Sequence, residues 1–234
     1  MGFLNTLLSL IKTILGMSKT LPSPTVPSPA PVAQKEAPMA PQEASSTPVI
    51  DPNSFSVVAL PLILIFEGSF TDNPNDRGGR TNRGITQRTY DSYRQILKLP
   101  LGDVENITDS EVSAIYYNYY WLPTHCDKMP EKVAVVCFDT AVNSGTGRSA
   151  KTLQQVLGVT PDGVIGPATL AKLMTCDPLD VANSFLTARV NFYNNIVAKN
   201  PDQQVFLKGW LRRVSLVKDF VNGVKNLSQV RASW

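Results

Sequence analysis

The chain has 234 residues, 43% hydrophobic and 18% charged, enough apolar material for one globular domain of ordinary size, or two small ones, plus extra segments. Its net charge of +3 falls to +2 once residues 1–50 are set aside, a nearly neutral balance that argues against nucleic acid as a partner and at most helps contact with an anionic surface. The three cysteines, Cys126, Cys137 and Cys176, sit among apolar neighbours and read as buried thiols; a single histidine, His125, and the lack of paired cysteine spacing argue against zinc. A Cys-His nucleophilic dyad would have to join His125 to Cys137 or Cys176, and neither cysteine has activating neighbours.

In chain order, the first predicted element is an amphipathic segment within residues 1–19. Phe3, Leu4, Leu7, Leu8, Ile11, Ile14 and Leu15 fall on one helical stripe. The stripe is too short to span a bilayer and lacks the basic start and cleavage site of a secretory signal peptide. It suits a membrane surface or a protein partner for residues 3–15, or packing on the protein itself. Residues 20–54 form a Pro-rich flexible linker: nine of the eighteen prolines lie between residues 20 and 52. Such a linker reaches roughly 30 Å as a coil and up to about 100 Å when extended.

From Phe55 onward the pattern is helical. Val57 to Phe66 is an apolar helix in which Pro61 either marks the first turn or introduces a kink. Thr86 to Leu97 is a second helix, and Thr108-Asp109-Ser110-Glu111 is a capping signal for a third, Val112 to Trp121. Pro130 opens a helix through Val142, and further helices with short loops follow.

Between the first two helices lies a polar, Gly-rich segment that begins with Glu67. A carboxyl at the end of an apolar helix is drawn out of water and faces the negative end of the helix dipole; both effects oppose ionisation and favour an available proton. Asp76 follows nine residues later, where a second carboxylate can position water. Two carboxyls in unlike surroundings are what glycoside hydrolysis requires.

The stretch Glu67-Gly68-Ser69-Phe70, then Pro74, Asp76, Gly78, Gly79, Thr81, Gly84, Ile85 and Thr86, resembles the glycoside hydrolase family 108 N-acetylmuramidases, which cut peptidoglycan glycan strands. Two residues depart from the family pattern: Ser69 replaces a second glycine and Phe70 a tyrosine. The resemblance implies a mainly α, lysozyme-like helical domain with a small β-like flap between Glu67 and Thr86, preceded by the amphipathic segment and the linker. It implies Glu67 as general acid, Asp76 as base or electrostatic partner and Thr81 as holder of the attacking water, with no metal or cofactor.

The second half carries its own resemblance. Ala134 to Gly145, Leu153 to Val159, Asp162 to Leu170 and Phe206 to Val214 look like the predicted peptidoglycan-binding region that accompanies these muramidases. Residues 55–127 are thus expected to form the catalytic region and residues 128–234 a helical, peptidoglycan-binding-like region that completes the fold. Asp162-Gly163 and Gly166-Pro167 have a structural use as tight turns and a helix start. Asp139 and Asn143, sharing a helical face, are candidate glycan contacts together with Asn82 and with Tyr120 from the aromatic cluster Tyr116 to Trp121. Lys208, Arg212, Arg213 and Lys218 read as a solvated basic face. A noncatalytic wall-binding component of a virion or secretion apparatus is the alternative, one that would not need Glu67. Either reading places the protein at the bacterial wall, delivered by a phage particle, a holin or a secretion system.

Overall fold

The computed structural model describes residues 51–72 and 79–234. The amphipathic segment, the linker up to residue 50 and the candidate base Asp76 lie outside the described residues. Pro61 marks the first turn of the first helix, one of the two places open to it. A π-helical turn, Ser54–Ala59, runs directly into α1, Leu60–Phe66, and Pro61 stands at the junction, where its missing N–H falls in the first α-turn. Leu60, Leu62, Ile63, Ile65 and Phe66 are all buried, as a helix apolar on every side requires. Gly68 ends the helix at φ +69°, so a single glycine supplies the left-handed turn and Ser69 is tolerated after it.

The chain then forms a small flap. Strands β1, Thr81–Asn82, and β2, Ile85–Thr86, pair antiparallel with Thr81 opposite Thr86, and Thr71 bridges to Thr81 on the other side. The two-residue loop has Arg83 at φ 50° and Gly84 at φ 75°, the signs of a type I′ turn that matches the strand twist. Phe70 keeps a use for its ring without a hydroxyl: the Arg80 guanidinium lies 5.2 Å from its centroid.

Thr86 caps α2, Gln87–Ile96, through the Thr89 amide, and the Thr108–Glu111 capping box starts α3, Asp109–Tyr116. The expected helix to Trp121 is present but widens into π geometry over Tyr117–Trp121. At the centre lies α4, Glu131–Ser144, with Val133 through Ala141 buried without a break. Phe55, Trp121 and Phe138 meet there with ring centroids 5.3–5.7 Å apart. Burying one such ring contributes about 1.5–3 kcal/mol.

Helices α5, Thr146–Leu157, α6, Pro167–Leu173, α7, Pro178–Lys199, and α8, Gln204–Val221, follow. A last helix, α9, Leu227–Ser233, packs on α1 and α8, and Trp234 sets its ring edge-on to Phe66 at 5.0 Å. The architecture is mainly α and lysozyme-like, with the flap as its sheet. Asp162-Gly163 makes its turn by tying itself to Gln154, which donates to Asp162 Oδ1 at 2.7 Å and accepts from the Gly163 amide at 2.8 Å. Cys126 and Cys137 are buried thiols, and burial pushes the Cys126 thiol up to about 12; Cys176 departs from expectation in being only half-buried. Among the described residues no helix is long and apolar enough to cross a membrane.

Candidate active site

Glu67 occupies the residue after α1, with its amide still bonded to the Ile63 carbonyl and its side chain 18% exposed. The apolar face of α1 thus delivers the carboxyl to the edge of the core. Oε1 accepts a hydrogen bond from Arg213 Nη1 at 2.8 Å, while among the described residues Oε2 accepts none. That leaves one oxygen held and the other without a hydrogen-bond partner among the described residues, facing the flap.

Arg213 does not belong to the solvated basic face expected of it. It is buried on α8, on the stripe that continues through Val217 and Val221, and its guanidinium lies 4.8 Å from the Phe66 ring centroid. Its Nε donates to Asp139 Oδ1 at 2.8 Å, and Asp139 Oδ2 is bonded by Arg189 of α7. The outcome is a buried chain of alternating charge: Glu67, Arg213, Asp139, Arg189. Burial alone pushes the Asp139 carboxyl up, but Arg213 and Arg189 outweigh it and hold it below the usual carboxylate range. Burial works against the Arg213 charge as well, and Asp139 and Glu67 more than reverse it, raising its affinity for the proton.

Asp139, expected as a glycan contact, is therefore corrected: it is 0% exposed with both oxygens engaged, and it reaches the site only through Arg213. A carboxylate in the buried middle of α4 must be paired, and two arginines do so.

The flap closes the opposite side of Glu67. A Cβ on Gly84 would lie 2.5 Å from the Tyr116 hydroxyl and 2.6 Å from Glu67 Oε2, so the approach depends on glycine for space as well as for φ. Tyr116 donates to the Arg83 carbonyl at 2.8 Å, and the Arg83 guanidinium reaches Asp109 and the Ile107 carbonyl, pinning the turn to α3. Burial, then the neighbouring Glu67, pushes the Tyr116 hydroxyl far up, so it remains a neutral donor. Tyr120 is half-buried and its ring tilts against Tyr116 at 5.8 Å, which puts it on this side of the site; burial and then Glu67 push its hydroxyl up.

Thr81, on β1, donates its hydroxyl to the Gly79 carbonyl at 3.0 Å, leaving the oxygen's lone pairs to accept from a water. Asn82 is corrected to a structural role: it is buried, and its amide donates to the Val104 and Glu105 carbonyls at 3.2 and 3.0 Å, tying the flap to the following turn. Asn143 is exposed at the end of α4 and accepts from the Tyr193 hydroxyl.

Arg189, Arg213 and Tyr116 were missed as site residues. A signal for Arg189 was present: Phe185, Arg189 and Tyr193 repeat every four residues, which puts an arginine on the apolar stripe of α7. Such a charge needs a buried partner, and Asp139 is the buried acid.

A helical domain with a carboxyl at a helix end, facing a small β flap, is the architecture of lysozyme-like glycosidases. Residues 60–145 match the family described as Glycosyl hydrolase 108, and residues 148–215 match the Predicted Peptidoglycan domain. The solved structure of SagA from Brucella abortus is 33% identical, covering 70% of this chain and 92% of that chain with a TM-score of 0.60. No curated protein matches. The chain belongs to glycosyl hydrolase family 108: it is a glycosidase, with a peptidoglycan domain in its second half and the cell wall as its place of action.

Proposed function

We propose that the protein is an N-acetylmuramidase that hydrolyses the β-1,4 bond between N-acetylmuramic acid and N-acetylglucosamine in peptidoglycan. The observation that carries this reading is the carboxyl of Glu67, anchored at Oε1 by Arg213, with Oε2 unpaired among the described residues and facing the flap. Glu67 acts as general acid: its Oε2 proton passes to the glycosidic oxygen as the bond to the anomeric carbon breaks, and the developing positive charge spreads over the sugar ring. Arg213 is a positioning residue, since a guanidinium locked to Asp139 holds the acid in one rotamer.

Asp76 is the base or electrostatic partner, and Thr81 holds the attacking water. A separation of about 6.5–9.5 Å between the Glu67 and Asp76 carboxyls gives inversion through that water, and one near 5 Å gives a covalent intermediate. The stereochemistry of the first-formed product distinguishes the two routes. The flanking aromatic Tyr120 supports the glycan, and residues 3–15 direct the enzyme to a membrane surface or a protein partner. Such an enzyme is bacteriolytic and of the endolysin type, brought to the wall by a phage particle, a holin or a secretion system.

Mass analysis of fragments released from purified wall tests the reading. New reducing ends on N-acetylmuramic acid are expected; reducing N-acetylglucosamine, or freed stem peptides, would replace it with glucosaminidase or amidase activity.

A further inference from the structure

Phe206, Trp210 and Arg213 stand at i, i+4 and i+7 on α8 and so share one stripe of that helix. The stripe begins inside the protein and ends outside it. Arg213 is buried against Glu67, Trp210 is half-buried, and Phe206 is 53% exposed. Trp210 stacks on Tyr193 of α7 with centroids 5.0 Å apart and planes 26° apart, and Phe206 stacks on Trp210 at 5.9 Å and 25°. Tyr193 is itself fixed, because its hydroxyl accepts from Arg189 Nε at 2.8 Å and donates to the exposed Asn143. An aromatic stack rooted in the buried ion chain thus ends in a phenyl ring in water.

Core packing does not require that ring. More than half of Phe206 is in solvent, and its neighbour Val205 is 77% exposed, so together they leave an apolar patch where α8 begins. A ring already held by stacking presents a flat face at little further cost in side-chain entropy, and the C–H face of a pyranose is a matching surface for it. Seven residues of helix place this ring roughly 10 Å along the axis from Arg213, the residue that grips the acid. The patch also falls within residues 148–215, the part that matches the Predicted Peptidoglycan domain.

We propose that Phe206, backed by Trp210, is a subsite that stacks on a sugar ring of the glycan strand away from the bond that is cut. The inference rests on the proposed function in that the strand reaching Glu67 continues across α8.

The test uses the full-length Glu67→Gln protein, titrated calorimetrically with soluble glycan strands freed of stem peptides. Adding Phe206→Ala is expected to weaken binding roughly 3- to 10-fold, the worth of one aromatic contact, and Phe206→Leu to weaken it similarly. Phe206→Trp should retain the parent affinity, with thermal melts confirming that all three variants fold. Unchanged affinity in Phe206→Ala overturns the subsite, and unchanged affinity in Phe206→Leu overturns the stacking on which it depends. Reducing-end release by the wild type is measured separately. Its absence alongside Phe206-dependent binding removes the hydrolase reading and leaves the subsite; its presence alongside Phe206-independent binding does the reverse.

Discussion

The two sides of Glu67 are built by opposite means. On the flap side the requirement is an absence: Gly84 has no side chain, at a φ that other residues resist, so the turn can close on Oε2. On the helical side the requirement is a charge: Arg213, buried and shared with Asp139, holds Oε1. The flap lies within twenty residues of the acid and belongs to the same motif, whereas Arg213 comes from 146 residues further on. The half that matches a peptidoglycan domain therefore also orients the acid of the half that matches the hydrolase. A motif can announce a candidate catalytic carboxyl while the residue that holds it lies in another part of the chain.

The comparison is sharpened first by removing the group on which both sides converge. Glu67→Gln is nearly isosteric and should leave the melting temperature within a few degrees while lowering turnover on peptidoglycan roughly 10²- to 10⁴-fold. Turnover within a few-fold of wild type would take Glu67 out of the mechanism.

The helical side is probed next. Arg213→Lys keeps a charge but cannot serve two carboxylates with a planar fork, so kcat should fall by up to about 100-fold with KM changed much less. A loss confined to KM would instead make Arg213 a substrate contact. Asp139→Asn breaks the buried chain at its centre and should cost about 3–5 kcal/mol, read by urea denaturation. The same variant reports on pH. Because the folded Asp139 carboxyl is held below its ordinary value, its contribution is complete above about pH 4 and is lost as the pH falls through the folded value. Wild-type stability should accordingly drop below about pH 4, and Asp139→Asn should lack that part of the decline. Equal acid sensitivity in both proteins would place the lost stability in other carboxyls.

The flap side should give a smaller stability change. Gly84→Ala carries about 1–2 kcal/mol of left-handed strain and also pushes a methyl group toward Glu67 Oε2. Its melting temperature should fall less than that of Asp139→Asn while turnover falls clearly. Normal turnover would show that the flap can open away from the acid without consequence.

Smallest of all should be the effect of deleting residues 1–52. A linker so rich in proline is expected to bury little, so melting temperature and hydrolysis of soluble wall fragments should hardly change, while co-sedimentation with anionic vesicles should diminish. A large drop in melting temperature would mean that the amphipathic segment packs on the enzyme.

The sequence by itself determined the elements whose causes are local. The apolar run ending at Glu67, the Thr108–Glu111 capping box, the proline that opens α4 and the glycines that turn the flap each act within one or two helical turns, so their spacing is visible in a linear string. Only the tertiary structure decided what meets Glu67. Arg213 looked like one more surface cation beside Arg212 until the stripe of α8 turned it inward, and Asp139 looked like a cleft residue until two arginines closed over it. Buried charges are stable only in pairs, and a pair drawn from α4 and α8 has no signature in the neighbourhood of either residue.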